Sequence, residues 1–236
     1  MLNGKATMLN GNFVEYNNGT LAFTVSGASF PMSALNPISN PSGYNSSFIR
    51  FTSSESNTAT IDYGDGSVIT YIFKFGTLDF RVGTPLGDTS RQVTHTYTDG
   101  NSGDRVIRIN FGKIDKIIAL KTSEAFLKKI FPNEIGSLTK LENIDMTNCQ
   151  FTNFPPSIST ITKLSSLNLV NFGTAISQRI PDEFNELNLQ RLSVSSSIDM
   201  SDINSSNFKG FLSNSKRSQL LYLFIDGCKL SVLPDE

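Results

Sequence analysis

Apolar positions in residues 140 to 151, KLENIDMTNCQF, fall at offsets that are neither helical nor strictly alternating. Leu141, Ile144, Met146, Cys149 and Phe151 spell L-x-x-L-x-L-x-x-C-x-L with conservative replacements. The offsets return 23 residues later with Leu164, Leu167, Leu169 and Phe172, and near the end with Leu220, Leu223, Ile225, Cys228 and Leu230. Looser copies are Leu189, Leu192, Val194 and Ser197, and, at the start, Ile114, Ile117 and Ala119. Successive copies are 27, 23, 25 and 31 residues apart. Between them lie FPNEIGSLTKL, FPPSISTITKL and IPDEFNELNL, each opening on an apolar residue and Pro, with apolar residues three and six positions after the Pro. The pattern predicts a short strand with an inward apolar row, a turn closed by the Cys or Asn position, and a return segment. Each unit buries its row only against its neighbours.

This agreement of strand and return segments resembles the leucine-rich repeat family over residues 113 to 236. The resemblance implies an α/β solenoid of about five units that meets a protein or glycan partner on its concave face. Between the inward positions, the outward columns read Lys116, Ile118, Leu120; Asn143, Asp145, Thr147; Ser166, Asn168, Val170; Arg191, Ser193, Ser195; and Tyr222, Phe224, Asp226. The middle columns are small and polar, the end columns apolar. The first end is expected against the preceding segment, and the last against a partner or a continuation of the array. Asn143, Asp145, Asn168, Arg191, Tyr222 and Phe224 are the candidate contacts, since aromatic and Arg side chains dominate binding hot spots; burial of the end columns by neighbouring structure is the competing reading. The long last interval contains residues 197 to 219, either a binding insertion or a longer return helix capped near Ser201 with Phe208, Phe211 and Leu212 inward. Cys149 and Cys228 sit three units apart, roughly 14 Å at strand spacing, beyond disulfide reach, and are expected to be free thiols.

Ahead of the repeats, SSFIRFTSSES, TATIDYGDGSVITYIFKF, QVTHTYTD and RVIRINFG alternate between polar and apolar residues, separated by Gly-, Asn- and Asp-rich turns. Period-two patterning predicts an antiparallel β-sandwich over residues 46 to 112. IDYGDGS followed about 30 residues later by THTYTDG resembles the polycystic-kidney-disease (PKD) type of immunoglobulin-like domain, although Arg105 stands near a position that is usually aromatic. Asp62 and Asp65 are a calcium candidate, but two carboxylates fall short of the six to eight oxygens calcium takes, and Asp-capped turn formation is the plainer role. His95, the single histidine, has no nucleophile motif beside it. Residues 1 to 45 form an arm and linker, with FVEYNNGTLAFTV read as a β-hairpin turning at Asn18-Gly19, which either joins the sandwich or docks on another subunit.

Composition narrows the function. The net charge is −1 without a basic patch, so neither nucleic acid nor an anionic membrane is an expected partner. With 17% charged residues and abundant Ser, Thr, Asn and Gly, the chain reads as an exposed, mainly β protein. No apolar stretch suits a signal peptide or a bilayer span, so no membrane insertion is expected. The N-x-[ST] sites at Asn18, Asn45 and Asn204 are read as chance in an Asn- and Ser-rich chain. No phosphate loop, nucleophile elbow or metal cluster is present, so neither enzymatic activity nor a cofactor is expected. PKD-like sandwiches leading into repeats resemble surface and adhesion proteins of Bacteroidetes-like bacteria; the absent export signal fits a bacteriophage virion decoration or fibre protein. A cytosolic protein-binding regulator is the third reading. The final LPDE stops where a return segment would begin, so self-association through the last repeat or the N-terminal arm is expected.

Overall fold

The computed structural model describes residues 6–9, 12–15, 21–25, 48–73, 76–82, 92–95, 105–123, 128–129, 131–147, 150–151, 154–170, 182–195, 211–212 and 215–226. Sixteen strands are described: β1 (Ala6–Leu9), β2 (Asn12–Glu15), β3 (Leu21–Val25), β4 (Phe48–Ser53), β5 (Asn57–Asp62), β6 (Val68–Phe73), β7 (Gly76–Val82), β8 (Gln92–His95), β9 (Arg105–Phe111), β10 (Ile117–Ser123), β11 (Lys128–Lys129), β12 (Asn143–Thr147), β13 (Gln150–Phe151), β14 (Ser166–Val170), β15 (Arg191–Ser195) and β16 (Tyr222–Asp226). The protein is mainly β, and no long helix occurs among the described residues.

One sheet of eight strands, ordered β16-β15-β14-β12-β10-β4-β7-β8, runs through both halves of the chain. Its repeat end is parallel and exactly in register: Leu120, Ile144, Leu167, Leu192 and Leu223 form one row, Thr122, Met146, Leu169, Val194 and Ile225 the next. Both rows are buried through their first four columns. Behind them the return segments are five-residue 3-10 turns, among them Asn133–Ser137, Pro156–Thr160 and Asp182–Glu186.

These turns replace the α-helical component expected of an α/β solenoid, and the reason lies in their period. Pro132, Ile135, Leu138 and Leu141 recur every third residue, and the amides of Ile135, Leu138 and Leu141 each bond the carbonyl three residues back. Pro155, Ile158, Ile161 and Leu164 repeat the arrangement. A 3-10 turn eclipses positions i and i+3, so one edge carries every apolar residue to the core. It also suits the stacking, because an α-helix about 10–12 Å wide is far broader than the 4.7–4.9 Å step between strands. Gly136 marks how closely the turns approach: a Cβ there would lie 2.7 Å from the Ser157 carbonyl oxygen. Thr160 Oγ1 reaches back 3.0 Å to the Gly136 carbonyl, and Phe131, Phe154 and Phe184 pack in a column at 5.6 and 5.1 Å between ring centres.

The first repeat departs from the sequence reading in register. Leu120, expected outward, is buried, Thr122 takes a core position, and the outward residues are Ala119 and Lys121. Residues 117 to 120 are all apolar and so carry no phase of their own, and an irregularity between Ile117 and Ala119 shifts the pairing with β4. Of the long last interval, Phe211 is buried and Leu212 packs against the core, while Ser201 and Phe208 lie outside the described residues. Cys149 and Cys228 also lie outside them.

A second sheet, β3-β9-β5-β6, faces the first: Phe51 of β4 meets Phe111 of β9 edge-on at 4.8 Å. The Asn18-Gly19 turn of the expected hairpin lies outside the described residues. Among the described residues its two strands take other partners: β2 pairs with β1, and β3 joins β9. The chain holds Asn-Gly at both 10–11 and 18–19, so local turn chemistry alone left the choice open. The antiparallel expectation also fails at one pair, because β7 and β8 run parallel. Residues 83–91 separate them, and nine residues span up to about 30 Å, enough to carry the chain back to re-enter in the same direction. At the handover from β9 to β10, buried Asn57 grips Lys113, donating to its carbonyl at 2.8 Å and accepting from its amide at 2.9 Å.

Gly136→Ala should destabilise the protein by about 1–3 kcal/mol in urea denaturation, because the obstructing atom is backbone. Ser159→Ala, at the matching place in the next unit, should cost under about 0.5–1 kcal/mol. A second test concerns Lys216, which donates to the Glu186 carboxylate at 2.7 Å and holds its pKa below the ordinary glutamate value. Since the folded-state value is the lower one, this contribution to stability is present at neutral pH. It is lost as pH falls below about 4.3, the ordinary value. In an NMR titration Glu186 should therefore protonate at lower pH in the wild type than in Lys216→Met.

Candidate binding face

Strand alternation sends every second side chain of β10, β12, β14, β15 and β16 away from the buried rows. Register stacks these side chains in three further rows: Ala119, Asn143, Ser166, Arg191 and Tyr222; Lys121, Asp145, Asn168, Ser193 and Phe224; and Thr147, Val170 and Asp226, with 123 and 195 at the matching backbone positions. Of the predicted contacts, all six therefore share this one face. Lys121 was missed, because the first repeat was read out of phase.

The middle row is organised at one end by a shared carboxylate. Lys121 Nζ lies 2.6 Å from Asp145 Oδ2, and Asn168 donates to Asp145 Oδ1 at 2.8 Å. Three strands are thereby cross-linked on their solvent side, and the Asn168 amide is oriented with its carbonyl oxygen left to accept. At the other end, the Arg191 guanidinium lies over the Phe224 ring, 4.9 Å from its centre, and Tyr222 stacks near-parallel to Phe224 at 6.3 Å. Cation–π stacking pre-orders the guanidinium while its in-plane donors stay available to a partner. Between these ends Ser166 and Ser193 form a low floor. The face is thus a strip with a fixed polar end and an aromatic-cationic end.

Asp62 and Asp65 work elsewhere. Asp62 Oδ1 accepts from the Gly64 amide and Asp65 Oδ1 from the Ser67 amide, both at 2.9 Å, while Arg108 sits 3.6 Å from Asp62 Oδ2. Gly64 and Gly66 supply positive φ at 75° and 92°. Both carboxylates therefore build the turn between β5 and β6. Among the described residues no cluster of three or more His, Cys, Asp or Glu side chains is placed to hold a metal. No described helix is long and apolar enough to cross a membrane.

No family model matches the chain, and no curated protein matches it. Among solved structures, the leucine-rich-repeat ectodomain of the receptor kinase SOBIR1 from Arabidopsis thaliana aligns with a TM-score of 0.27 and 17% identity. The alignment covers 58% of this chain and 77% of that one, a likeness too slight to carry a fold or a function.

Lys121 and Asp145 are 45% and 30% exposed, so their pairing orders the face more than it stabilises the fold. A double-mutant cycle with Lys121→Met and Asp145→Asn, followed by urea denaturation, should give a coupling of about 0.2–1 kcal/mol that shrinks as salt is added.

Proposed function

We propose that the chain is a non-catalytic recognition module, in which a PKD-like, immunoglobulin-like sandwich over residues 46 to 112 leads into a short leucine-rich-repeat solenoid over 113 to 236. The solenoid takes a protein or glycan partner on its rows of outward strand side chains. One observation carries the reading: five parallel strands in exact register present pre-ordered polar and aromatic groups on one exposed surface. Side chains held in place before binding lose little entropy when a partner arrives. Asn143, Asp145 and Asn168 supply directional hydrogen bonds, and Arg191, Tyr222 and Phe224 supply contact area. Residues 1 to 45 belong to the module as an arm and linker, with β3 contributing to the sandwich.

The setting belongs to the same proposal. Low charge content and many Ser, Thr, Asn and Gly residues suit a protein displayed on a bacterial cell surface or a phage particle. The alternative reading, a component whose main role is assembly, draws on the exposed side chains of the last strand.

Immobilised protein probed with a panel of biotinylated glycans and with a phage-displayed random peptide library tests the reading. Wild type should enrich a defined glycan class or peptide motif. Asn143→Ala/Asn168→Ala should weaken that binding at least ten-fold, while Thr139→Ala in a return segment leaves it unchanged. Enrichment of neither class, or equal loss with the return-segment variant, overturns the proposal.

A further inference from the structure

The two buried rows end differently. Leu192 and Val194 of β15 are 0% and 2% exposed, whereas Leu223 beside them on β16 is 36% exposed and Leu221, just before it, is 70% exposed. β16 closes the eight-stranded sheet with no further strand beside it among the described residues. A strand edge over an open apolar row is a template for another strand.

We propose that β16 pairs antiparallel with β16 of a second copy, about a two-fold axis at Phe224. This register pairs Leu223 with Ile225 of the second copy and Tyr222 with Asp226 of the second copy. Residues directly opposite in an antiparallel pair point to the same side. Leu223 and Ile225 of the two copies thus cover each other's open ends, and the buried rows of one copy continue into those of the other. On the outer face the two Phe224 rings meet at the axis.

Charge favours the same register. Arg191 is the in-register neighbour of Tyr222 and leans over Phe224, towards the free edge. Among the described residues no carboxylate pairs with it. The two-fold brings Asp226 of the second copy to the far side of Tyr222, within reach of that guanidinium, and repeats the pairing symmetrically. A net charge of −1 per chain leaves little repulsion between copies. The result is a closed dimer whose two outer faces join into one strip. This inference goes beyond the recognition reading and does not rest on it: the two share Arg191, Tyr222 and Phe224, but Asn143 and Asn168, which test that reading, lie outside the contact.

Light scattering on a sizing column, over a concentration series, tests it with a charge swap. Wild type should approach twice the 25.9 kDa chain mass. Arg191→Asp and Asp226→Arg should each weaken association at least ten-fold, and the double swap should recover most of that loss. Cysteine capture gives a second readout in a Cys149→Ser/Cys228→Ser background. Phe224→Cys should form a symmetric disulfide under mild oxidation, because opposed Cα atoms lie within the roughly 7 Å a disulfide spans. Asp226→Cys should not, being four residues from its mate along the strand. A monomer at all concentrations, an assembly that grows without limit, failure of the double swap, or crosslinking at 226 in preference to 224 overturns the proposal.

Discussion

An apolar row on a single coil of this chain has two flanks, and each stays wet unless another strand lies against it. No coil is stable alone, so the architecture follows from how each flank is covered. In the interior the solution is repetition: β12, β14 and β15 lie in register, and Ile144, Leu167 and Leu192 bury one another. At the front, β4 runs antiparallel to β10 and sets Phe51 opposite Leu120. Phe51 also reaches Phe111 in the facing sheet, so the apolar cluster runs unbroken from the repeat strands to that sheet. At the back, β16 is left with Leu223 and its neighbours exposed.

The same requirement shapes the return segments. Strand spacing fixes the thickness of each coil, and the backs of the coils must keep pace or the sheet pulls apart. The Gly136 site and the hydrogen bonds of Ser157 to the Asn133 carbonyl and of Thr160 to the Gly136 carbonyl show backbone packed directly against backbone there. An outer surface built on so rigid a frame inherits its order. The Lys121, Asp145 and Asn168 contacts and the Arg191 and Phe224 stacking span adjacent strands, and register alone brings each partner into reach.

Much of this was readable in the amino-acid order, because it depends on periods. The L-x-x-L-x-L offsets gave the inward rows, and hence Asn143, Asp145, Asn168, Arg191, Tyr222 and Phe224 as one outward set. The three-residue spacing after each Pro was visible too, and it already carried the 3-10 turn that the expectation of helices passed over. Asp62 and Asp65 as turn formers followed from Asp-x-Gly-Asp-Gly, where side-chain acceptors and positive-φ glycines act within a few residues.

Tertiary structure decided what local pattern leaves degenerate. Residues 117 to 120 are apolar at every position, so their phase came from pairing with β4 and β12, which buried Leu120 and Thr122 and turned Lys121 outward. Asn-Gly occurs at both 10–11 and 18–19, so turn chemistry leaves the partner of β3 open, and its pairing with β9 is a long-range choice. The parallel pairing of β7 and β8 is likewise invisible to alternation, which is the same for either strand direction. Periodicity is a property of neighbours along the chain and can be read there, whereas register between distant strands is settled only when the strands compete for the same edge.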